Sequence, residues 1–295
     1  MRKHLDIRGF FQIVIPPVIY VIIQRIAGYV VVFGMTLMSF GVMTGILRGR
    51  SFSVNLDWNE MGFVAMALAA LVSIPLFLSM KNRDELQYPS DYRYEPVARW
   101  RYVYVPVVGF LVAVGTNQLI SLLNIDRFFP GYEETSQTLY AMNVWAELAV
   151  LGILVPIVEE LIFRAVVYER IRRYCSVTAA ALWTSFFFGV YHGNMSQGIY
   201  AFLLSLLMVY VKEKYHTMTA PILFHMSANI YSVLATETAL VDWVTESLEL
   251  YLAVMVLSFA ISLLAIWRIQ EEVAPERVKK NREWHNDSEN YNTNL

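Results

Sequence analysis

Two adjacent acidic residues, Glu159 and Glu160, lie inside an apolar stretch, directly after the residues Val-Pro-Ile-Val. If the stretch spans a membrane, each ionisable side chain costs about 2.5–3.5 kcal/mol and needs a partner, a cavity or a function. On a helix, Glu160 and Arg164 are four residues apart and can form an ion pair, whereas Glu159 points about 100° away from Glu160. Glu159 is therefore a candidate general base or acid, and a buried packing network of the three charged residues is the structural alternative.

Histidine and asparagine side chains occupy two later apolar stretches. His192 lies near the end of the run Phe-Gly-Val-Tyr-His-Gly-Asn and could serve as a base, a metal ligand or a capping group at a helix end. His225 and Asn229 are four residues apart, so a helix places them on one face. Both side chains can donate hydrogen bonds to a developing oxyanion, and a single interhelical hydrogen bond is the structural alternative.

The polar residues of the three stretches fall at similar depths. Counting about 1.5 Å per residue from the cytoplasmic end of each stretch places Glu159, His192 and His225 at about 20, 22 and 16 Å. Asn229 lies about 6 Å beyond His225 on the same scale. We therefore expect the three stretches to contribute to one polar site inside the membrane.

Long apolar blocks form the elements that must position these residues. The chain has 295 residues, of which 57% are hydrophobic and only 16% charged, against about 25% charged in soluble domains. The blocks at 61–80 and 248–267 are each long enough to cross a hydrocarbon core of about 30 Å. We therefore predict an all-α, polytopic transmembrane helical bundle. The bundle has about eight spans, at 10–36, 61–80, 103–124, 142–168, 177–192, 198–211, 217–236 and 248–267.

The distribution of Lys and Arg predicts the orientation of the bundle. The block at 10–36 could be one long tilted helix or two short ones. If it crosses once from an inner N terminus, most of the 23 Lys and Arg residues fall on the cytoplasmic side, as the positive-inside rule requires. We therefore predict one crossing, with the N and C termini both cytoplasmic. The predicted external loops are acidic and contain Asp126, Glu133, Glu134, Glu237, Asp242 and Glu246.

The chain is predicted to form one integral membrane domain over 1–267, followed by a polar cytoplasmic tail over 268–295. The tail has mixed charge and few apolar residues, a composition that favours disorder. No small-residue cleavage site closes the first block, so we expect a retained anchor. The net charge of -2 and the single cysteine, Cys175, exclude a nucleic-acid binder and a disulfide-stapled domain. We expect a multi-pass protein of a bacterial plasma membrane.

Three motifs follow one another on successive spans: Glu-Glu-x-x-x-Arg at 159–164, Phe-x-x-x-His at 188–192 and His-x-x-x-Asn at 225–229. Each pattern alone is weak, but the three together, in this order in a polytopic protein, are much more specific. The set resembles the CPBP (Abi) family of intramembrane proteases, relatives of the type II CAAX prenyl proteases. The resemblance covers about 142–236, which is the predicted protease core.

The resemblance implies a role for each residue of the motifs. Glu159 would be the principal catalytic residue and would activate water together with His192. His225 and Asn229 would bind the oxyanion or help to position the scissile carbonyl. The supporting residues would be Glu160 and Arg164.

Members of the family are usually described as metalloproteases, which leaves a catalytic zinc ion as an open alternative. Its candidate ligands are Glu159, His192 and His225, because one Glu with two His is the ligand set of some catalytic zinc sites. The sequence contains no His-Glu-x-x-His motif. We therefore favour a water molecule activated by Glu159 and His192, and assign no cofactor.

These residues favour an intramembrane endopeptidase that cleaves a hydrophobic peptide, a prenylated peptide or a membrane-protein substrate within the lipid bilayer. No nucleic-acid partner is expected. One alternative is a non-proteolytic membrane scaffold or bacteriocin-immunity factor that uses the same pocket for binding. A second alternative is a small-cation or proton transporter, since intramembrane Glu, His and Asn also build ion paths, although no inverted repeat is visible in the sequence.

Overall fold

The computed structural model describes residues 4–47, 58–90, 92–124, 139–140 and 142–279 of the chain. Within these ranges the protein forms eight helices and one two-stranded antiparallel sheet, so the predicted all-α bundle is confirmed. The helices are α1 (Ile7–Leu47), α2 (Trp58–Gln87), α3 (Tyr104–Leu122), α4 (144–172), α5 (Val177–Tyr191), α6 (Met195–Tyr215), α7 (Thr219–Glu237) and α8 (Leu248–Glu272). The remaining elements are the 3-10 segments Arg99–Val103 and Ala239–Glu246 and the strands β1 (Tyr92–Tyr94) and β2 (Arg277–Lys279).

Five of these helices are long and apolar enough to cross a membrane, which identifies an integral membrane protein. They are Ile7–Gly41 within α1, Trp58–Gln87, Arg99–Leu122, Met195–Tyr215 and Leu248–Glu272. The helices that carry most of the motif residues are α4, α5 and α7, and they are shorter, interrupted or more polar. They are held by their neighbours, because α7 packs on α3, α5 on α6, and α4 against α1 and α2.

The first apolar block is one helix, as the charge distribution predicted, although Pro16 and Pro17 lie inside it. Proline lacks an N–H group, so Pro16 leaves the carbonyl group of Gln12 without its helical donor. Arg170 of α4 donates its Nη1 to that carbonyl oxygen at 2.5 Å. A neighbouring helix thus replaces the missing hydrogen bond, which is how membrane helices tolerate proline.

The helix α4 contains two π-helical segments. It is π-helical over Val150–Leu154 and again over Leu161–Tyr168, with an α-helical segment, Val155–Glu160, between them. A π turn widens the helix and disturbs its regular hydrogen bonds, and such turns are frequent at functional sites. The two adjacent glutamates, Glu159 and Glu160, therefore end an α-helical segment at the border of a π-helical one.

The basic segments that were predicted to be cytoplasmic meet at one end of the bundle. Asp84, near the end of α2, binds Arg170 at 2.7 Å and Arg173 at 3.1 Å near the end of α4. Tyr94 of β1 stacks on His216, directly after α6, with 3.4 Å between ring centroids. We call this the basic end; its assignment to the cytoplasm remains a prediction from the charge distribution.

The predicted boundary of the polar tail needs correction. The last span does not stop at Trp267, because α8 continues to Glu272, which accepts a hydrogen bond from the Tyr104 hydroxyl group at 3.1 Å. Farther on, β2 pairs with β1. The prediction of disorder is therefore wrong for 268–279, because the loop before α3 supplies partners that composition does not reveal. Residues 280–295, and the predicted loop acids Asp126, Glu133 and Glu134, lie outside the described residues.

Two glycines allow α5 and α6 to pack closely. A Cβ atom on Gly189 would lie 2.8 Å from the carbonyl oxygen of Gly198. At that distance the backbone would have to move apart, which lowers the stability of the packing. We expect Gly189→Ala to lower the free energy of unfolding by about 1–3 kcal/mol. Gly34→Ala is the matched control, because a Cβ atom there meets nothing within 4 Å. Thermal unfolding in detergent measures both, and equal melting temperatures for the two variants would contradict the close packing.

Candidate active site

The buried ion pair predicted from spacing is present. Glu160 Oε1 and Arg164 Nη1 are 2.9 Å apart, and both side chains are fully buried. Because burying an unpaired charge is very costly, these two groups depend on each other. Each of these charges is therefore neutralised inside the bundle by its partner on α4.

The guanidinium group of Arg164 also joins α4 to α5 and α6. Its Nη2 donates to Ser205 Oγ at 2.8 Å and lies 3.1 Å from the sulfur atom of Met208. Its Cζ atom lies 4.4 Å from the ring centroid of Phe188. Ser205 was not predicted as a site residue. The sequence hints at it only in that Ser205 is polar and lies among the apolar residues of α6.

His225 of α7 lies between the two glutamates of α4. Its Nδ1 is 2.8 Å from Glu160 Oε1, and its Nε2 is 3.6 Å from Glu159 Oε2. An ionised carboxylate only accepts hydrogen bonds, so Nδ1 of His225 carries the hydrogen. Glu160 therefore fixes the ring of His225 with its Nε2 atom toward Glu159.

His192 caps the C-terminal end of α5, and its ring is held in one orientation. Its Nδ1 lies 2.7 Å from the carbonyl oxygen of Phe188. Because a carbonyl oxygen can only accept, the Nδ1 atom carries the proton and Nε2 presents a lone pair. Gly193 follows with a φ of 77°, a conformation that suits glycine, and Asn194 then caps the start of α6. The chain turns sharply here and leaves His192 at the turn.

Phe188 separates the two imidazole rings. Its ring centroid lies 4.7 Å from that of His192 and 5.6 Å from that of His225, and both contacts are edge-on. Phe188, the first residue of the Phe-x-x-x-His motif, thus packs between the two histidines.

Asn229 contributes to the structure as well as to the site. Its Nδ2 atom donates to the carbonyl oxygen of Leu151 at 2.9 Å, inside the first π-helical segment of α4. The interhelical hydrogen bond considered as an alternative is therefore present. The amide group has a second N–H, which this contact leaves available.

One cavity of about 880 Å³ is lined by Glu159, His192, His225 and Asn229. The single polar site expected from the depth of the residues is thus present. The lining extends to Trp58 at the start of α2 and to Leu139 and Tyr140 before α4, which lie away from the basic end. Glu160 and Arg164 are not in the lining, in agreement with a supporting role.

The helix α1 also lines the cavity, which the motifs did not predict. Gln24 donates its Nε2 to the hydroxyl oxygen of Tyr191 at 3.0 Å, and Tyr191 in turn interacts with Glu159. The ring of Tyr20 stacks on Tyr191 with 5.9 Å between centroids. The sequence contains a hint of both residues. Tyr191 is adjacent to His192, and Gln24 is a polar residue in an apolar helix.

The zinc ligands considered from the sequence do not form a ligand set in this geometry. Among the described residues, no group of three His, Cys, Asp or Glu side chains is placed to hold a metal ion. His225 and His192 each keep one nitrogen, Nε2, for another ligand, since Nδ1 of His225 faces Glu160 and Nδ1 of His192 faces a carbonyl oxygen.

Comparison with protein families finds a match to the family model described as "Type II CAAX prenyl endopeptidase Rce1-like" over residues 141–231. The matched segment contains all three motifs, including the pair of glutamates, both histidines and Asn229. Comparisons with curated proteins and with solved structures find no match. The family resemblance inferred from the motifs is thereby confirmed.

Proposed function

We propose that this chain, which carries an Rce1-like family domain over residues 141–231, is an intramembrane endopeptidase acting on a hydrophobic or membrane-associated substrate. The family implies a peptidase of the CAAX type, and the apolar helices identify an integral membrane protein. The observation that carries the proposal is the convergence of Glu159, His192 and His225 in the wall of one cavity.

In the proposed mechanism, a water molecule lies between Glu159 and His192. The lone pair on His192 Nε2 accepts a hydrogen bond from this water and orients it, since the Nδ1 atom is already occupied. Glu159 takes a proton as the water oxygen attacks the scissile carbonyl carbon. The same proton then passes to the amide nitrogen of the leaving segment as the C–N bond breaks. Two products form, one with a new carboxylate and one with a new amine.

His225 and Asn229 stabilise the oxyanion of the tetrahedral intermediate. Since Nδ1 of His225 donates to Glu160, its Nε2 atom can donate only when the ring carries both protons. The site then carries no net charge, which suits a place shielded from water. The two negative charges are those of Glu159 and Glu160, and the two positive charges are those of Arg164 and the His225 ring. Asn229 supplies its second amide hydrogen as another donor.

The test of the proposal is cleavage of a quenched fluorescent library of hydrophobic peptides by purified protein in lipid nanodiscs. We expect hydrolysis at an internal peptide bond, with both products identified by mass spectrometry. Folded protein that cleaves no member of the library in several lipid compositions would contradict the proposal. Binding of a peptide without cleavage would then favour the scaffold or immunity function considered above.

Replacement of His192 by phenylalanine is expected to lower kcat by about 10²-fold, because the variant has no acceptor to orient the attacking water. Phenylalanine keeps the edge-on packing against Phe188, so the melting temperature should change little. Rates measured on one good substrate peptide test this prediction. Cleavage at the rate of the unmodified protein would remove His192 from the mechanism.

Removal of metal ions is expected to leave cleavage unchanged, since the three candidate ligands do not form a metal-holding group among the described residues. The measurement compares rates before and after treatment with a strong chelator, together with metal analysis of the purified protein. Loss of activity on chelation, followed by recovery with zinc, would contradict the metal-free mechanism while leaving the peptidase assignment in place.

A further inference from the structure

A positively charged residue, Arg25, lies at the centre of an apolar helix. The candidate span Ile7–Gly41 of α1 has its midpoint at residue 24, so Arg25 is far from both ends of the span. The distances along the helix are about 27 Å to Ile7 and about 24 Å to Gly41. An ionisable side chain this far inside an apolar span is costly and is usually functional.

Two buried arginines have partners, whereas Arg25 has none in the described part of the chain. Arg164 binds Glu160, and Arg170 binds Asp84. No hydrogen bond, ion pair or ring contact joins Arg25 to another described residue, and its side chain is exposed. The guanidinium group is therefore available to a ligand.

Arg25 lines the same cavity as Glu159 and His192. Its neighbour Gln24 is tied to the site, because it donates a hydrogen bond to Tyr191, which interacts with Glu159. This contact fixes the turn of α1 that carries Arg25 relative to the reacting groups. A molecule in the cavity can thus reach the guanidinium group and the proposed catalytic residues together.

We propose that Arg25 is an anion-binding subsite of this cavity and binds a carboxylate group of the peptide substrate. This inference rests on the proposed peptidase function. The planar guanidinium group pairs with a carboxylate through two parallel hydrogen bonds, and the pairing is strongest where water is scarce. A peptide lying across Glu159 and His192 is the cavity's proposed occupant. A peptide is favoured over a lipid phosphate because Arg25 lines the cavity that holds Glu159 and His192.

Three labelled peptide probes test the subsite. Each is the same ten-residue apolar peptide, ending in a free carboxylate, in an amide, or in an amide with a glutamate near the end. Binding is measured by fluorescence anisotropy in phosphatidylcholine nanodiscs, with the variant Glu159→Gln as the host so that no probe is consumed. The free carboxylate and the glutamate probe distinguish a chain end from an acidic side chain.

We expect at least one carboxylate probe to bind about tenfold more tightly than the neutral amide. Adding Arg25→Gln should bring this ratio close to one, and Arg25→Lys should retain part of it. Arg83→Gln is the matched control, because Arg83 is an exposed arginine near the end of α2, outside the cavity lining, and it should leave the ratio unchanged.

An unchanged ratio in Arg25→Gln, or an equal loss of affinity for all three probes, would overturn the inference. A third outcome would also overturn the inference. If added phosphatidylglycerol changes probe binding, if Arg25→Gln abolishes that change, and if no probe is preferred, the guanidinium group of Arg25 binds lipid phosphate. Because binding is measured in an inactive host, a failure of peptide cleavage contradicts the proposed function alone. A failure of carboxylate preference contradicts the subsite alone.

Discussion

Replacement of Glu159 by glutamine is expected to lower kcat for peptide cleavage by about 10²–10⁴-fold, toward the upper end of that range. Glutamine has nearly the same shape but cannot accept the proton of the attacking water, and it cannot return that proton to the leaving amine. Because Glu159 serves both steps, Glu159→Gln should lower kcat more than His192→Phe does. Substrate affinity should change much less than the rate.

The measurement is a single-turnover rate with enzyme in excess, together with the melting temperature of the variant. Glu147→Gln is a matched control, because Glu147 is another buried glutamate of α4 that lies outside the cavity lining. It accepts a hydrogen bond from the backbone N–H of Met142 at 3.0 Å, and glutamine can keep that bond. Similar rates for the two variants would contradict the role assigned to Glu159.

Replacement of Arg164 by leucine is expected to destabilise the protein by about 3–5 kcal/mol. The change removes the cation that is 2.9 Å from Glu160 and leaves that carboxylate fully buried. It also removes the hydrogen bond to Ser205 and the contact with the ring of Phe188. Thermal unfolding in detergent, before and after the substitution, measures the loss.

A double variant, Glu160→Gln with Arg164→Leu, separates charge from packing. It buries no unpaired charge, so most of the lost stability should return, as is observed when buried ion pairs are replaced together. Activity should remain low, because His225 then lacks the carboxylate that holds its Nδ1 atom. A double variant as unstable as Arg164→Leu would contradict the electrostatic explanation.

The parts of the site that depend on local spacing could be predicted from the sequence. The ion pair between Glu160 and Arg164 follows from a four-residue separation on a helix. The common depth of Glu159, His192 and His225 follows from the rise per residue. The single helix over the first block agrees with the single crossing predicted from the distribution of basic residues, despite the two prolines inside it.

The remaining features depend on contacts between distant segments, which no local pattern records. The bond from Gln24 to Tyr191 joins residues on α1 and α5, and the bond from Asn229 to Leu151 exists where α4 becomes π-helical. The ordered part of the tail depends on the pairing of β2 with β1. To predict any of these contacts, one must know which segments are neighbours in the fold. The order of the apolar blocks along the chain does not specify those neighbours.

The proposed role of His225 also changes once its contacts are visible. From the sequence it is a donor on the same face as Asn229, with no constraint on its ring. In the structure Glu160 occupies its Nδ1 atom, so its other nitrogen donates only from the doubly protonated ring. Glu160 is thus a positioning residue for His225, in addition to being the partner of Arg164.

In the proposed mechanism, a water molecule activated at Glu159 breaks the peptide bond. A single turnover in water enriched with ¹⁸O, with the products analysed by mass spectrometry, shows where the new oxygen atom comes from. The mechanism predicts one ¹⁸O atom in the newly formed carboxylate of the N-terminal product, and product formation slowed by about 10²–10⁴-fold with Glu159→Gln. A product without ¹⁸O would indicate attack by a protein carboxylate, and the absence of any product from the unmodified protein would contradict the peptidase assignment itself.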